Sequence, residues 1–244
     1  MATLLMRLAA PMQSWGDESK YDLRYTCAEP TKSGVIGLVS AALGLERSDP
    51  EIACLAQRLR MGVRVDQRGN IMADYHTVHV PDRRHYLEGC DTNGNVIMGK
   101  ETYVTRRYYI CDACFLVGLE CAERSILEHI SAALAAPIFS LYLGRRACPP
   151  TLPLNLGISE RTLSQALYAA PWMAADWYRR KYPNARLSII LESESGQPAS
   201  HSVHDQPISF NQIHREYGFR GLEREQSLLI TAQNETQHDP FAIL

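Results

Sequence analysis

Lysine is scarce in this chain. Lys20, Lys32, Lys100 and Lys181 are the only four, and arginine supplies the rest of the 25 basic residues. Excess positive charge is absent as well: the formal net charge is −2, which excludes a general polyanion binder and confines any nucleic-acid contact to a local patch. Arginine suits such a patch, because its planar fork contacts phosphate bidentately and stacks on rings, whereas lysine is a point charge. No apolar run approaches the roughly 20 residues that cross a bilayer. In "MATLLMRLAAP", Arg7 interrupts the apolar run and no basic segment precedes it, so the stretch reads as a first strand and not a secretory leader. The expected location is cytoplasmic. A disulfide framework is missing too. The seven cysteines are odd in number and scattered, which suits reduced thiols. Cys111 and Cys114 form a CxxC without the second pair of a zinc ribbon, and a strand would turn them to opposite faces. No metal and no cofactor is expected.

What remains is ordinary for a globular chain: 244 residues, 45% hydrophobic and 21% charged, enough for one large domain or two small ones. "TLLMRLAAPM" reads as a strand ended by Pro11. A helix follows over "TKSGVIGLVSAAL", capped by Thr31 or Ser33 and closed by Gly44, with Val35, Ile36, Val39, Ala42 and Leu43 as its buried stripe. "PEIACLAQRLR" is a short second helix. "MGVRVDQRGNIMADYHTVHV" reads as two strands about a turn near Arg68-Gly69-Asn70. Residues 81–99 are polar and irregular, with a tip expected to be mobile, and extended chain resumes through "KETYVTRRYYICDACFLVGLEC". "SILEHISAALAAP" is an amphipathic helix with Ser125 as its cap, and "IFSLYLG" the next strand. This order, strand–helix–strand–strand–helix–strand, predicts an α+β, ferredoxin-like or RRM-like palm. It carries an inserted β-hairpin thumb over 78–110, with the palm built from 1–77 and 111–244. Beyond Pro149 two helices are expected, the second with Pro171 in its first turn, then a strand over "ARLSIILES" and a loop-rich end.

Four stretches could carry chemistry. In "KETYVTRRYY", Tyr103, Thr105, Arg107 and Tyr109 share one strand face, and Val104, Arg106, Tyr108 and Ile110 the other. Aromatic and guanidinium planes side by side suit stacked bases and phosphate. The plain alternative is a solvated strand whose arginines pair with Glu101 or Asp82. "PTKSG" at a helix start offers free backbone N–H groups with Lys32 and Ser33 for an anion, although it lacks the glycines of a Walker A loop. An ordinary capped helix is the alternative. "YLGRRACPP" turns on Gly144 into Arg145 and Arg146, either a phosphate cradle or a surface turn. In "ADYHTVHV", His76 and His79 fall on opposite faces, a poor metal pair, which leaves His76 as a lone candidate general base.

Taken in order, "LLMRLAAPMQSWG", "EPTKSGVIGLVSAALGL", "DYHTV", "TRRYYICDACFLV" and "YLGRRACPPTLPL" resemble the CasD family, Cascade subunits of type I-E CRISPR systems within the RAMP superfamily. The likeness covers residues 3–155 closely and continues loosely through "PISFNQIHREYGFRG". It implies a non-catalytic CRISPR RNA-binding subunit that holds and caps the 5′ handle of the guide. The implied partners are the Cascade backbone subunit and the large subunit, with target DNA met indirectly and no membrane. By this resemblance Arg106, Arg107 and Tyr108 lie at the thumb base. Gln13, Trp15, Lys32, Ser33, Arg145 and Arg146 line the palm surface that holds the RNA, and His76 joins the RNA-binding set. Relatives in the type I-C branch cut precursor RNA with His, Lys and Tyr. Here Lys100 has no adjacent histidine and no Lys-His pair occurs, so a metal-independent endoribonuclease using His76 is the second reading. A module binding a small anion at Thr31–Gly34 is the third.

Overall fold

A computed structural model describes residues 1–16, 22–79, 87–90, 96–98, 102–194, 199–211 and 213–231. Glu101, Asp82 and most of the expected mobile tip at 81–99 lie outside the described residues. In chain order the strands are β1 (Ala2–Ala9), β2 (Met12–Gln13), β3 (Leu23–Arg24), β4 (Arg60–Gln67), β5 (Asn70–His79), β6 (Leu87–Cys90), β7 (Val96–Met98), β8 (Thr102–Cys111), β9 (Cys114–Cys121), β10 (Asn155–Ser159), β11 (Asn184–Glu192), β12 (His201–Ser209) and β13 (Glu216–Thr231). The helices are α1 (Lys32–Leu43), α2 (Glu51–Arg58), α3 (Arg124–Ala135), α4 (Leu163–Ala169) and α5 (Asp176–Lys181).

The chain is a mixed α/β structure with antiparallel sheets. The main sheet has seven strands in the order β10-β1-β9-β4-β11-β13-β12. Leu4, Met6 and Leu8 of β1 stand beside Leu119, Val117 and Phe115 of β9, and these beside Met61, Val63 and Val65 of β4. All nine face α1 and α3, whose Val35, Ile36, Val39, Leu127 and Ile130 complete the core. The opposite face is covered as well. Leu163 and Leu167 of α4 pack where Gly62 and Gly118 leave room, and a Cβ at either glycine would strike them. Burial on both faces explains why β9 is buried at every position and does not alternate. Arg64 reaches into this second layer, giving a bidentate bond to Asp66 and further bonds to the carbonyls of Leu167, Ala170 and Pro171.

Several sequence expectations are met locally. Thr31 Oγ1 caps α1 by accepting from Gly34 N, and Gly44 closes it in the left-handed conformation. Others give way to non-local bonding. No strand forms over Ile138–Gly144: Ile138 N and Phe139 N donate to the carbonyls of Ala42 and Ala41 at the end of α1. The place beside β1 is taken by β10 instead. α3 begins after Glu123 and not at Ser125, and α5 begins after Ala175, five residues beyond the Pro171 start expected for it. The supposed loop-rich end contributes β12 and β13, which widen the main sheet. Within 81–99, β6 and β7 pair with each other in place of the irregular chain expected there.

The two strands joined near Arg68–Asn70 do not pair with each other. β4 stays in the main sheet, whereas β5 leaves it and pairs with β8 from Asn70↔Cys111 out to His79↔Thr102. The expected arm boundaries at 78 and 110 fall inside this ladder. On its other edge β8 receives β2 at Cys111 and Ile110, and β3, in parallel, at Arg106 and Arg107.

Candidate nucleic-acid interface

The β5–β8–β3 ladder has two chemically distinct faces. On one, register sets Asp74 beside Arg107, His76 beside Thr105 and Met72 beside Tyr109. Tyr109 is buried, and the Arg145 guanidinium carbon sits 4.7 Å over its ring. Arg145 Nη2 donates to the Arg24 carbonyl at 2.9 Å, and Arg24 pairs with Arg107, so the two arginines share this face. The left-handed Gly144 lets the Arg145 loop press onto Ser14. Three polar atoms here are buried without a hydrogen-bond partner among the described residues: Thr105 Oγ1, Arg107 Nε and Arg145 Nη1. Native proteins rarely leave such groups orphaned, because each forfeits water with nothing in return. Asp74, which stands beside Arg107 across the ladder, is engaged by His76 Nε2 at 2.5 Å. An oxyanion such as phosphate is the chemistry that this donor set fits.

The other face carries Arg106, exposed, with its backbone N–H donating to the Asp22 carbonyl at 2.7 Å. Tyr25 and Tyr108 stack with ring centres 5.0 Å apart and 23° between planes. Tyr75 stands beside Arg106 in the neighbouring strand and is 60% exposed. This face presents π surfaces and an exposed guanidinium with no ion pair among the described residues, the composition of a stacking platform.

The remaining residues expected at an RNA surface separate into two groups. Arg146 is exposed on the Gly144 turn, and Ser33 is half-buried beside Thr31, with its hydroxyl donating to Thr31 Oγ1. Gln13, Trp15 and Lys32, by contrast, are interior and cannot touch RNA, which corrects that expectation. Gln13 Nε2 donates to the carbonyls of Leu8 and Ala113 and its Oε1 accepts from Trp15 Nε1, a bonded pair inside the β1–β2 bend. The Lys32 ammonium is 1% exposed and bonds Glu192 at 2.7 Å. Burial draws its pKa down, while Glu192 opposes the shift. The start of α1 already holds an anion of the protein's own: Asp205 Oδ2 accepts from Lys32 N at 2.8 Å and is itself clamped by Arg220. The small-anion reading at Thr31–Gly34 loses its site for this reason.

The sequence reading missed Arg24 and Tyr25. Both lie between the first strand and the first helix, where it assigned no element, and Arg24 reaches β8 through parallel pairing across about eighty residues. The CxxC does not behave as a reactive pair. Cys114 is buried and its thiol is pushed up to about 12, first by burial and then by Asp66. Among the described residues no group of three His, Cys, Asp or Glu side chains is placed to hold a metal ion. No helix among them is long and apolar enough to cross a membrane.

Comparison with known proteins agrees with the likeness seen in the motifs. The family profile described as CRISPR-associated protein (Cas_Cas5) matches residues 3–223. The Escherichia coli (strain K12) protein named CRISPR system Cascade subunit CasD is 35% identical over 162 residues, which is 64% of this chain and 71% of that one. A chain of a structure titled CRISPR RNA-guided surveillance complex superposes with a TM-score of 0.72 at 31% identity, covering 93% of this chain and 91% of the other. A second solved structure, titled Crystal structure of Cas protein, gives 0.66 at 36% identity over 92% and 94%. The profile spans the β1–α1 core, the β5–β8 ladder and the Gly144–Arg146 turn together, and with them the chain belongs to the CRISPR-associated Cas5/CasD family.

Proposed function

We propose that this chain is a non-catalytic RNA-binding subunit of a Cascade-type CRISPR complex, holding the 5′ handle of the guide RNA and joining the backbone and large subunits. In this reading β10-β1-β9-β4 with α1 and α3 form a ferredoxin-like palm, and the β5–β8 arm is its thumb. The observation that carries it is two buried donors with no partner among the described residues, Arg107 Nε on the arm and Arg145 Nη1 on the Gly144 turn, beside Thr105 Oγ1 and opposite the Tyr25–Tyr108 stack. A phosphate seated between Arg107 and Arg145 would satisfy these groups. Bases would then stack on the Tyr75, Tyr25 and Tyr108 side near Arg106. Arg106→Ala with Arg107→Ala should weaken binding to handle RNA and lower the log–log salt slope by about 1.4, the share of two phosphate contacts on a single strand. Wild-type affinity and slope in the double variant would refute the arm assignment.

The second reading, a metal-independent endoribonuclease, draws on one observation. His76 is oriented by Asp74 at 2.5 Å, and both are only partly exposed beside Arg107. A base and a cation for the phosphate are then at hand, yet among the described residues the ladder presents no lysine as acid. Incubating the chain with CRISPR repeat RNA in EDTA discriminates between the two. A discrete cleavage product lost in His76→Ala would establish the nuclease, and intact RNA would dismiss it.

A further inference from the structure

The α5 corner has no part in the arm, and its chemistry is unusual for a chain of net charge −2. Its sequence, "DWYRRKY", holds three consecutive cations and one acid, Asp176. Arg179 is turned inward: Nε donates to the Ala174 carbonyl at 2.9 Å, Nη2 to the Trp172 carbonyl at 2.8 Å, and the guanidinium lies 5.9 Å over the Trp172 ring. Arg180 and Lys181 point out and are exposed, with no ion pair among the described residues. The favourable pole at a helix C-terminus accounts for basic residues there. It does not account for the aromatics. Tyr178 packs edge-on against Trp172 at 6.4 Å and Trp177 at 5.6 Å, and tilted against Tyr182 at 4.8 Å. Trp177 and Tyr182 are thereby held by neighbours yet stay 48% and 44% exposed. Lys181 Nζ lies 5.4 Å over the Tyr182 ring.

This platform is bolted to the root of the arm. Trp172 Nε1 donates to the Asp66 carbonyl at 2.7 Å, Met173 N to Asp66 Oδ2 at 2.7 Å, and Ala175 N to Gln67 Oε1 at 3.0 Å. Gln67 Nε2 in turn donates to the Asp112 carbonyl, just beyond β8. Asp66 and Gln67 end β4 immediately before the chain departs into β5. The cluster thus sits where the arm leaves the main sheet, on the α4 side of that sheet.

We infer that the exposed face of α5, Trp177 with Tyr182, Arg180 and Lys181, is a second nucleic-acid contact that stacks bases and neutralises phosphates of a single strand. Ordered aromatic planes beside two exposed cations that have no ion pair among the described residues match a single strand's alternation of bases and phosphates, whereas a protein partner would meet both positive charges. The strand is guide RNA leaving the arm, because the platform is hydrogen-bonded to the root of the arm, and this assignment rests on the proposed function.

Trp177 supplies its own probe, because Trp15 and Trp172, the other two tryptophans, are buried. The full chain is titrated with a twelve-nucleotide RNA and the DNA of the same sequence, following tryptophan emission and the anisotropy of a labelled strand. Emission is expected to be quenched more strongly by the RNA, and stronger quenching by the DNA would overturn the assignment to guide RNA. Trp177→Ala should weaken binding roughly tenfold, with Trp177→Phe restoring it while removing the quench. Arg180→Gln with Lys181→Gln should lower the salt slope by about 1.4. The same quench is expected in the Arg106→Ala, Arg107→Ala background, so failure of the arm and failure of α5 are read separately. Unchanged emission with both strands, or wild-type affinity in Trp177→Ala and in the Arg180, Lys181 variant, would overturn the inference.

Discussion

Gly144→Ala tests how the Arg145 turn is held. A Cβ at this position would lie 1.6 Å from the Ser14 carbonyl oxygen and 2.7 Å from its carbon, both backbone atoms that no rotamer change can move. The residue also has φ +87, which costs an L side chain about 1–2 kcal/mol. Relieving the clash means lifting the turn off the Ser14–Trp15 segment. That loses the Ser14 N to Leu143 O bond at 3.1 Å and the Arg145 bond to Arg24, each about 1 kcal/mol. The expected loss is about 3–4 kcal/mol, or a Tm roughly 10 °C lower for a chain of this size. Gly157 is the internal comparison: it has φ +95 but nothing within 4 Å of its Cβ, so Gly157→Ala carries the strain without the clash. Calorimetry of both variants separates the two causes. Handle-RNA affinity should fall in Gly144→Ala alone, because Arg145 would leave its place over Tyr109. Equal melting shifts in the two variants would refute the close-approach argument.

Two further outcomes follow from buried groups. Lys32→Met removes the ammonium from Glu192, which keeps Met61 N and the Arg220 guanidinium, and should cost about 1.5–3 kcal/mol in a urea melt, while RNA affinity of the folded protein stays at wild type; a variant with normal stability and lost RNA binding would contradict the interior assignment. Cys114 keeps its proton in the folded chain up to about 12 but releases it near 9 once unfolded, so stability falls as pH rises through that interval. At pH 10 the loss is about 1.4 kcal/mol, and Cys114→Ala should flatten the decline measured between pH 8.5 and about 10.5; an unchanged slope would show the thiol to be uninvolved.

Much of the candidate site was legible from local pattern. Period-2 alternation in "YVTRRYY" assigned Arg106 and Arg107 to opposite faces, and the ladder register agrees. The Gly144-Arg145 turn was legible because glycine has few reasons to precede two arginines at a strand-like end. The helix start at Thr31 was equally clear, but its ligand was misread. A free N-terminus and one plugged by Asp205, more than 170 residues away, have the same local sequence. Lys32 was misjudged for the same reason, since its partner Glu192 is 160 residues distant.

The sequence by itself determined the elements with strong short-range signals: β1, the capped α1, β4, the two-faced β8, and the charge and cysteine usage that excluded a polyanion sponge, a metal ribbon and a disulfide scaffold. Tertiary structure alone decided which polar groups are spent and which remain free. Lys32, Arg64 and Gln13 are consumed by a carboxylate or carbonyls far along the chain, whereas Arg107 and Arg145 keep buried donors with no partner among the described residues. The physical reason is that propensity and periodicity act over a few residues. Burial and ion pairing depend on contacts that close long loops, and those contacts decide whether a cation is part of the core or of a binding surface.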